Sequence, residues 1–381
     1  MRSILCRFAR TSALALALGG SWSSNSFSFE DVLDTPAFSS EIAYQHLLLD
    51  VQILTSRWVA VGEKGHILFS EDTGKTWQQA DVPVSVLLTA VHFASDSMGW
   101  AVGHGGVILV STDGGLTWTK QFDGNEANQS IIRQAEKYVA ELEADLESAT
   151  EDEAGDIEYE LEEALFSLED AEIDAEVGAS KPFLDVYFIN EQKGFVVGAY
   201  GFLFATNDGG QTWDNYGDRV ENFDRFHLNA IGQTANESLI IAGEAGVMFR
   251  SQDGGDTWET VDSPYDGSWF GILSIDEADG ALAFGLRGNL YKTTDGGAVW
   301  EQIDSKTTST LMGASFDGDA GITIAGNSGV ILTSRDGGDS FQEMIREDRL
   351  GNVSVAYVDD GELVLVGESG VNLINSFGQN L

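Results

Sequence analysis

Cysteine is almost missing from this sequence: Cys6 is the only one in 381 residues. A disulfide framework and a thiolate metal site are therefore excluded. Proline occurs four times, too rarely for a Pro-rich linker. Basic side chains are also scarce, 20 against 62 acidic ones, for a formal net charge of −42. Phosphates are gripped by Lys and Arg, so nucleic-acid binding is excluded on sign alone. An anionic membrane surface would repel the chain in the same way, and no apolar run is long enough to span a bilayer. Two readings of the acidity stay open: solubility in a salty medium that screens self-repulsion, or a surface for a basic partner or divalent cations. What is abundant is glycine, 44 residues, within a 43% hydrophobic composition. That combination indicates many tight turns around an ample core.

The N-terminus has the layout of a signal peptide. Arg2, Arg7 and Arg10 precede a short apolar run from Ala13 to Leu18, and Ser26 and Ser28 are small residues placed for a cut after Ser28. Residues 1–28 are thus expected to be removed, taking Cys6 with them. Export without disulfides fits a bacterial periplasm or the extracellular space.

Internal repeats decide the fold class. Six segments share the pattern Ser/Thr-x-Asp-x-Gly-x-Thr-Trp, beginning at Ser70, Ser111, Thr206, Ser251, Thr293 and Ser334. Their aspartates are Asp72, Asp113, Asp208, Asp253, Asp295 and Asp336. Five end on Trp77, Trp118, Trp213, Trp258 and Trp300, and the sixth on Phe341. Asp-Gly favours a tight turn with positive φ between antiparallel strands, and the ring at the end can pack between layers. Six equivalent carboxylates cannot all line one site, so the box is structural. A second phrase, two β-rich runs around a glycine turn, occurs seven times and closes on Gly62, Gly103, Gly198, Gly243, Gly285, Gly326 and Gly367. The spacings are 41, 95, 45, 42, 41 and 41 residues. A period of that length with several short strands is a propeller blade. The expected fold is all-β, a seven-bladed β-propeller of four-stranded antiparallel blades over residues 29–381. The seventh unit lacks a box and an outer strand, and residues 29–38 are expected to close that last blade.

The single long spacing contains an insertion, residues 125–180. Ile132, Ala135, Val139, Leu142 and Leu146, and then Ile157, Leu161, Ala164, Leu168, Ala171 and Ala175, fall in heptad stripes. These predict an acidic antiparallel α-helical hairpin between blades 2 and 3. It is a solvated arm or a recognition arm. Connections between blades share a face with the turns between the two middle strands, which carry Glu63, Lys64, His66, His104, Tyr200, Glu244, Arg287, Asn327 with Ser328, and Glu368. That face is the expected partner-binding surface. His66 and His104 occupy comparable turns with Glu63 nearby, but exposed imidazoles are the simpler reading, so no metal, cofactor or catalytic residue is assigned.

The box is the Asp box of neuraminidase-type repeats. The first arginine that sialidases place in an Arg-Ile-Pro segment is missing here, and no arginine triad is evident. A glycan-binding or glycoside-hydrolase-like propeller is therefore the alternative reading. The repeats more closely resemble the photosystem II stability/assembly factor family. The residues that carry this resemblance are the glycine turns Val61-Gly-Glu-Lys-Gly65 to Val366-Gly-Glu-Ser-Gly370, each but the last followed by an Asp box. They cover roughly residues 40–378 outside the hairpin. The resemblance implies an exported, non-catalytic propeller that helps a membrane complex assemble, with a protein partner in the membrane or envelope. The hairpin is an addition, and the surface arginine cluster of the family is not evident in the sequence. Only Arg287 falls in a middle turn, with Arg225 and Arg349 between blades.

Overall fold

The computed structural model describes residues 31–275, 279–358, 361–375 and 378–381. Residues 1–28, expected from the sequence to form a signal peptide, lie outside them. From Val32 onward the chain is one compact unit. It holds seven antiparallel sheets whose strands follow chain order, six of four strands and one of three. Inner strands run from Leu48, Leu88, Phe183, Leu228, Trp269, Leu311 and Asn352. Each packs beside the next and the seventh beside the first, so the blades close into a seven-bladed propeller.

The repeat glycines are there for steric reasons. Gly62 pairs with Leu48 across a register slip, and a Cβ on it would lie 2.2 Å from the Leu47 carbonyl oxygen. Gly367 stands in the same relation to the Gly351 carbonyl, also 2.2 Å. Only glycine lets the second strand come this close to the entry of the first.

The box turns lock themselves. The Asp253 Oδ1 accepts hydrogen bonds from the Ser251 hydroxyl, 2.8 Å, and from the Asp256 and Thr257 N–H groups, 3.0 and 2.9 Å; its Oδ2 accepts from the Thr257 hydroxyl. The Trp258 Nε1–H donates back to the Gly255 carbonyl. The bonds from the Thr76 hydroxyl and N–H hold Asp72 down at about 2, and the Ser340 and Ser334 hydroxyls do the same for Asp336. The box rings pack against the preceding blade: Trp118 is buried with Val59, Val61 and Phe69 of blade 1.

The inner strands leave N–H groups pointing at the neighbouring blade, and side chains across the boundary satisfy them. The Asp50 carboxylate accepts from the Val91 N–H and from the Ser354 hydroxyl, joining blades 1, 2 and 7. Asp185 accepts from the Ile231 N–H, and Ser315 from the Tyr357 N–H. Burial pushes Asp50 up to about 6 and Asp185 to about 7, the latter helped by the nearby Asp50 charge. Burial also pushes His92 down to about 4, so it is neutral where its Nδ1 lies 3.3 Å from the Phe188 N–H.

The last blade departs from expectation. Among the described residues of 29–38 none forms a strand, and none pairs with blade 7. Ala37 donates to the Val82 carbonyl, and Val32 accepts from the Ser85 N–H, so this segment lies along the connection from blade 1 to blade 2. Blade 7 keeps three strands, and its outer strand is met by the chain itself, with a bridge between Ile374 and Asn380. The ring is sealed by packing instead: Leu48, Val51, Trp58, Ala60 and Leu68 share a cluster with Val364 and Val366. Burying that apolar surface replaces a shared strand. Among the described residues no helix is long and apolar enough to cross a membrane.

Candidate functional site: the turn face and the helical arm

A repeated hydrogen bond defines the face. The residue opening each glycine turn donates its N–H to the carbonyl of the residue just before the inner strand: Glu63 to Leu47, His104 to Leu87, Ala199 to Pro182, Glu244 to His227, Leu286 to Ser268, Asn327 to Thr310 and Glu368 to Gly351. Middle turns and inter-blade connections therefore share one side, with the box turns at the opposite strand ends. At the centre of these turns Lys64, Tyr200, Ala245, Arg287 and Ser328 all adopt φ between 52° and 60°. Side chains seldom accept that conformation, so each costs on the order of 1 kcal/mol relative to glycine.

The helical arm rises from this face. Helix α1 spans Gly124–Ser148 and α2 spans Ala154–Val177. Asp123 caps α1 and, with Glu126, completes a capping box. The arm is fixed at its root: Asn128 donates to the Gly178 carbonyl, and a Cβ on Gly106 would meet the Gly124 backbone at 2.8 Å. It also leans on blade 3, where Gln134 donates to Asp218 at 2.7 Å and accepts from Asn215 at 2.6 Å.

Clefts open on both sides of α1. One, of about 940 Å³, lies between α1 and the outer strand of blade 3 and presents Arg133, Lys137 and Arg219. The other, of about 460 Å³, presents Lys181, Tyr200, Phe223 and Arg225 beside Tyr138. Arg219 stacks 3.5 Å over the Tyr216 ring. Lys181 is held by Asp174 at 2.5 Å and lies 5.8 Å from the Tyr200 ring. Phe223 is 91% exposed, so an aromatic edge is offered to solvent next to these cations. In a chain with 20 basic residues, five gather at these two clefts, where they face Glu126, Asp174, Asp214 and Asp218.

The residues expected on this face are spread around the ring. Tyr200 and Glu244 meet through His227, with Tyr200 5.1 Å from the imidazole and Glu244 4.0 Å from its Nδ1. Asn327 and Glu368 flank Gly351 together. Arg287 and His104 stand exposed in their own turns. Lys64 is exposed, and Glu63 bonds His46 at 2.7 Å. His66 departs from expectation. It is 1% exposed, its Nε2 lies 3.3 Å from the Phe38 carbonyl, and its ring packs edge-on against His46. The N-terminal segment covers it, which removes it from the surface. Among the described residues no group of three or more His, Cys, Asp or Glu side chains is arranged to hold a metal ion.

The cleft cations Arg133, Lys137, Lys181 and Arg219 were not among the expected residues. One signal was present: Arg133 and Lys137 are the only basic residues of the hairpin and sit four apart, on one face of α1. Lys181 and Arg219 join them only through packing.

A family model described as "Photosynthesis system II assembly factor YCF48" matches residues 69–141 and 169–312, more than half of the chain. The break falls in the distal part of the hairpin. No curated protein matches the sequence. Among solved structures, "YCF48 bound to D1 peptide" is similar at TM-score 0.59 and 14% identity, covering 86% of this chain and 93% of that one. YCF48 from Cyanidioschyzon merolae gives 0.57 and 15%, covering 86% and 95%. The WD40 propeller domain of Doa1 gives 0.58 at 10% identity, covering 90% and 95%. At such identities these three share the fold with this chain.

Proposed function

Because the chain belongs to the photosynthesis system II assembly factor YCF48 family, we propose that it is a non-catalytic, exported accessory factor that binds a polypeptide segment of a membrane-protein complex. The observation that carries this reading is the convergence on one face of the strained middle turns, the rooted helical arm and five cations at the two clefts. A relative solved with a D1 peptide bound supports a polypeptide ligand. The carboxylates of all six boxes are used within their own turns, which supports a scaffold rather than an acid–base enzyme. Export rests on the residues before Ser28.

The test is in-cell crosslinking of the tagged protein, with solubilised membranes and identification of captured proteins by mass spectrometry. One membrane complex, lost when residues 126–178 are deleted, is the expected result. Capture of nothing above background, or capture indifferent to the deletion, would remove the face and arm from the mechanism.

A further inference from the structure

Helix α2 has two apolar faces, and the fold uses only one. Ile157, Leu161, Ala164 and Leu168 pack on Val139 and Leu142 of α1, and Ala171 is buried on the same side. Advancing about 100° per residue along a helix of 3.6 residues per turn places Tyr159, Phe166, Ile173 and Val177 diametrically opposite. These four are 65%, 58%, 54% and 69% exposed. They repeat at 7, 7 and 4 residues, the spacing of a coiled-coil seam. The stripe covers about 27 Å of helix at 1.5 Å per residue.

Carboxylates border this stripe on both sides. Glu158, Glu162, Glu169 and Glu176 follow one edge, and Glu163, Asp170 and Asp174 the other. Of these, Asp174 reaches Lys181 and Asp170 lies 4.0 Å from Arg225, both at the root of the arm. Helix α2 contains ten acidic residues and no basic one. Charge therefore selects the occupant. A second copy would set two such carboxylate rows against each other, and an anionic lipid surface would be repelled. A helix with an apolar stripe between rows of Lys and Arg matches both the seam and its borders.

Building on the functional reading above, we propose that the outer face of α2 seats a cationic amphipathic helix of the partner protein, as a third helix on the hairpin. The four apolar residues of the seat line neither cleft around α1.

The test uses the full chain and two synthetic peptides of about 20 residues, long enough for the stripe. Both carry leucine at heptad a and d positions, one with lysine elsewhere and the other with glutamate. Fluorescence anisotropy is read at about 50 mM and about 500 mM salt, either side of the screening change. The lysine peptide binds the chain and loses affinity at the higher salt, and the glutamate peptide does not bind. Phe166→Ser with Ile173→Ser weakens the lysine peptide at least about tenfold, with an unchanged melting temperature because both side chains are exposed. Equal affinity for the double variant would leave charge alone as the cause and overturn the seat. A concentration-dependent dimer lost in that variant would assign the face to a second copy and overturn it as well. In the crosslinking experiment, capture lost on hairpin deletion but kept in the double variant would defeat this inference and leave the functional reading standing.

Discussion

Asp50 and Asp185 hydrogen-bond the N–H groups of neighbouring inner strands, in surroundings that raise both above the ordinary carboxylate value of 3.8. In the folded protein they hold their protons more tightly than in the unfolded chain. Their contribution to stability is complete below 3.8, declines as pH rises toward about 6 and about 7, and is flat above. The box aspartates have the opposite sign. Asp72 and Asp336 are lowered to about 2, so their contribution is present above 3.8 and lost as pH falls toward 2. His92, lowered from 6.5 to about 4, works against Asp50 and Asp185 as pH falls, but its shift is smaller than theirs together, so stability should still rise as pH falls from neutrality toward 5. Scanning calorimetry from pH 4.5 to 8 reads the slope, and Asp185→Asn should flatten it, since an amide oxygen still accepts from Ile231 but does not titrate. An equally steep slope in that variant would mean that the dependence arises elsewhere. None of this was visible at the residue level beforehand. Asp50 and Asp185 look like ordinary strand residues, and only the closing of the ring sets them against a neighbouring blade.

Elements were easier to read than residues. The hydrogen-bond lock of the box turn and the close approach of the closing glycine each lie within one blade, so a local repeat records them, while the box ring reaches the preceding blade. The hairpin was legible for the same reason, through stripes at heptad spacing. Its independence can be tested. A Cβ on Gly124 would lie 2.9 Å from the Cα of Ala179, so the two ends of the arm already meet. It is tied to blade 3 by the side-chain bonds of Gln134, by the pairs Asp174–Lys181 and Asp170–Arg225, and by Ala127 and Ile131, which pack into the core with Phe183, Phe204 and Trp213. Excising residues 126–178 should leave one cooperative unfolding transition, its melting temperature lowered by several degrees for the loss of Ala127 and Ile131 from that core. A collapse of that transition would show that blade 3 depends on the arm. The segment from 31 to 38 was harder to place, because it has no repeat partner. Its position along blades 1 and 2 is fixed by Val32, Ala37 and Phe38 contacts that span 28 to 53 residues of sequence.

At the scale of the molecule, a net charge of −42 is a destabilising field that salt should relieve. Screening shortens from about 10 Å at 0.1 M to about 3 Å at 1 M. The melting temperature at pH 7.5 should accordingly rise by several degrees between those concentrations of sodium chloride, and rise less at pH 5. A flat or falling response would mean that ion pairs such as Arg57–Glu71 and Lys292–Asp339 offset the repulsion. The sequence by itself determined the blade, the number of blades, the position of the helical arm and the overall sign of the charge. Each of these is written in nearest-neighbour chemistry that repeats along the chain. Only the tertiary structure decided how the ring seals, why His66 is buried and where the cations gather. Those outcomes depend on contacts between residues far apart in sequence, which no periodicity encodes.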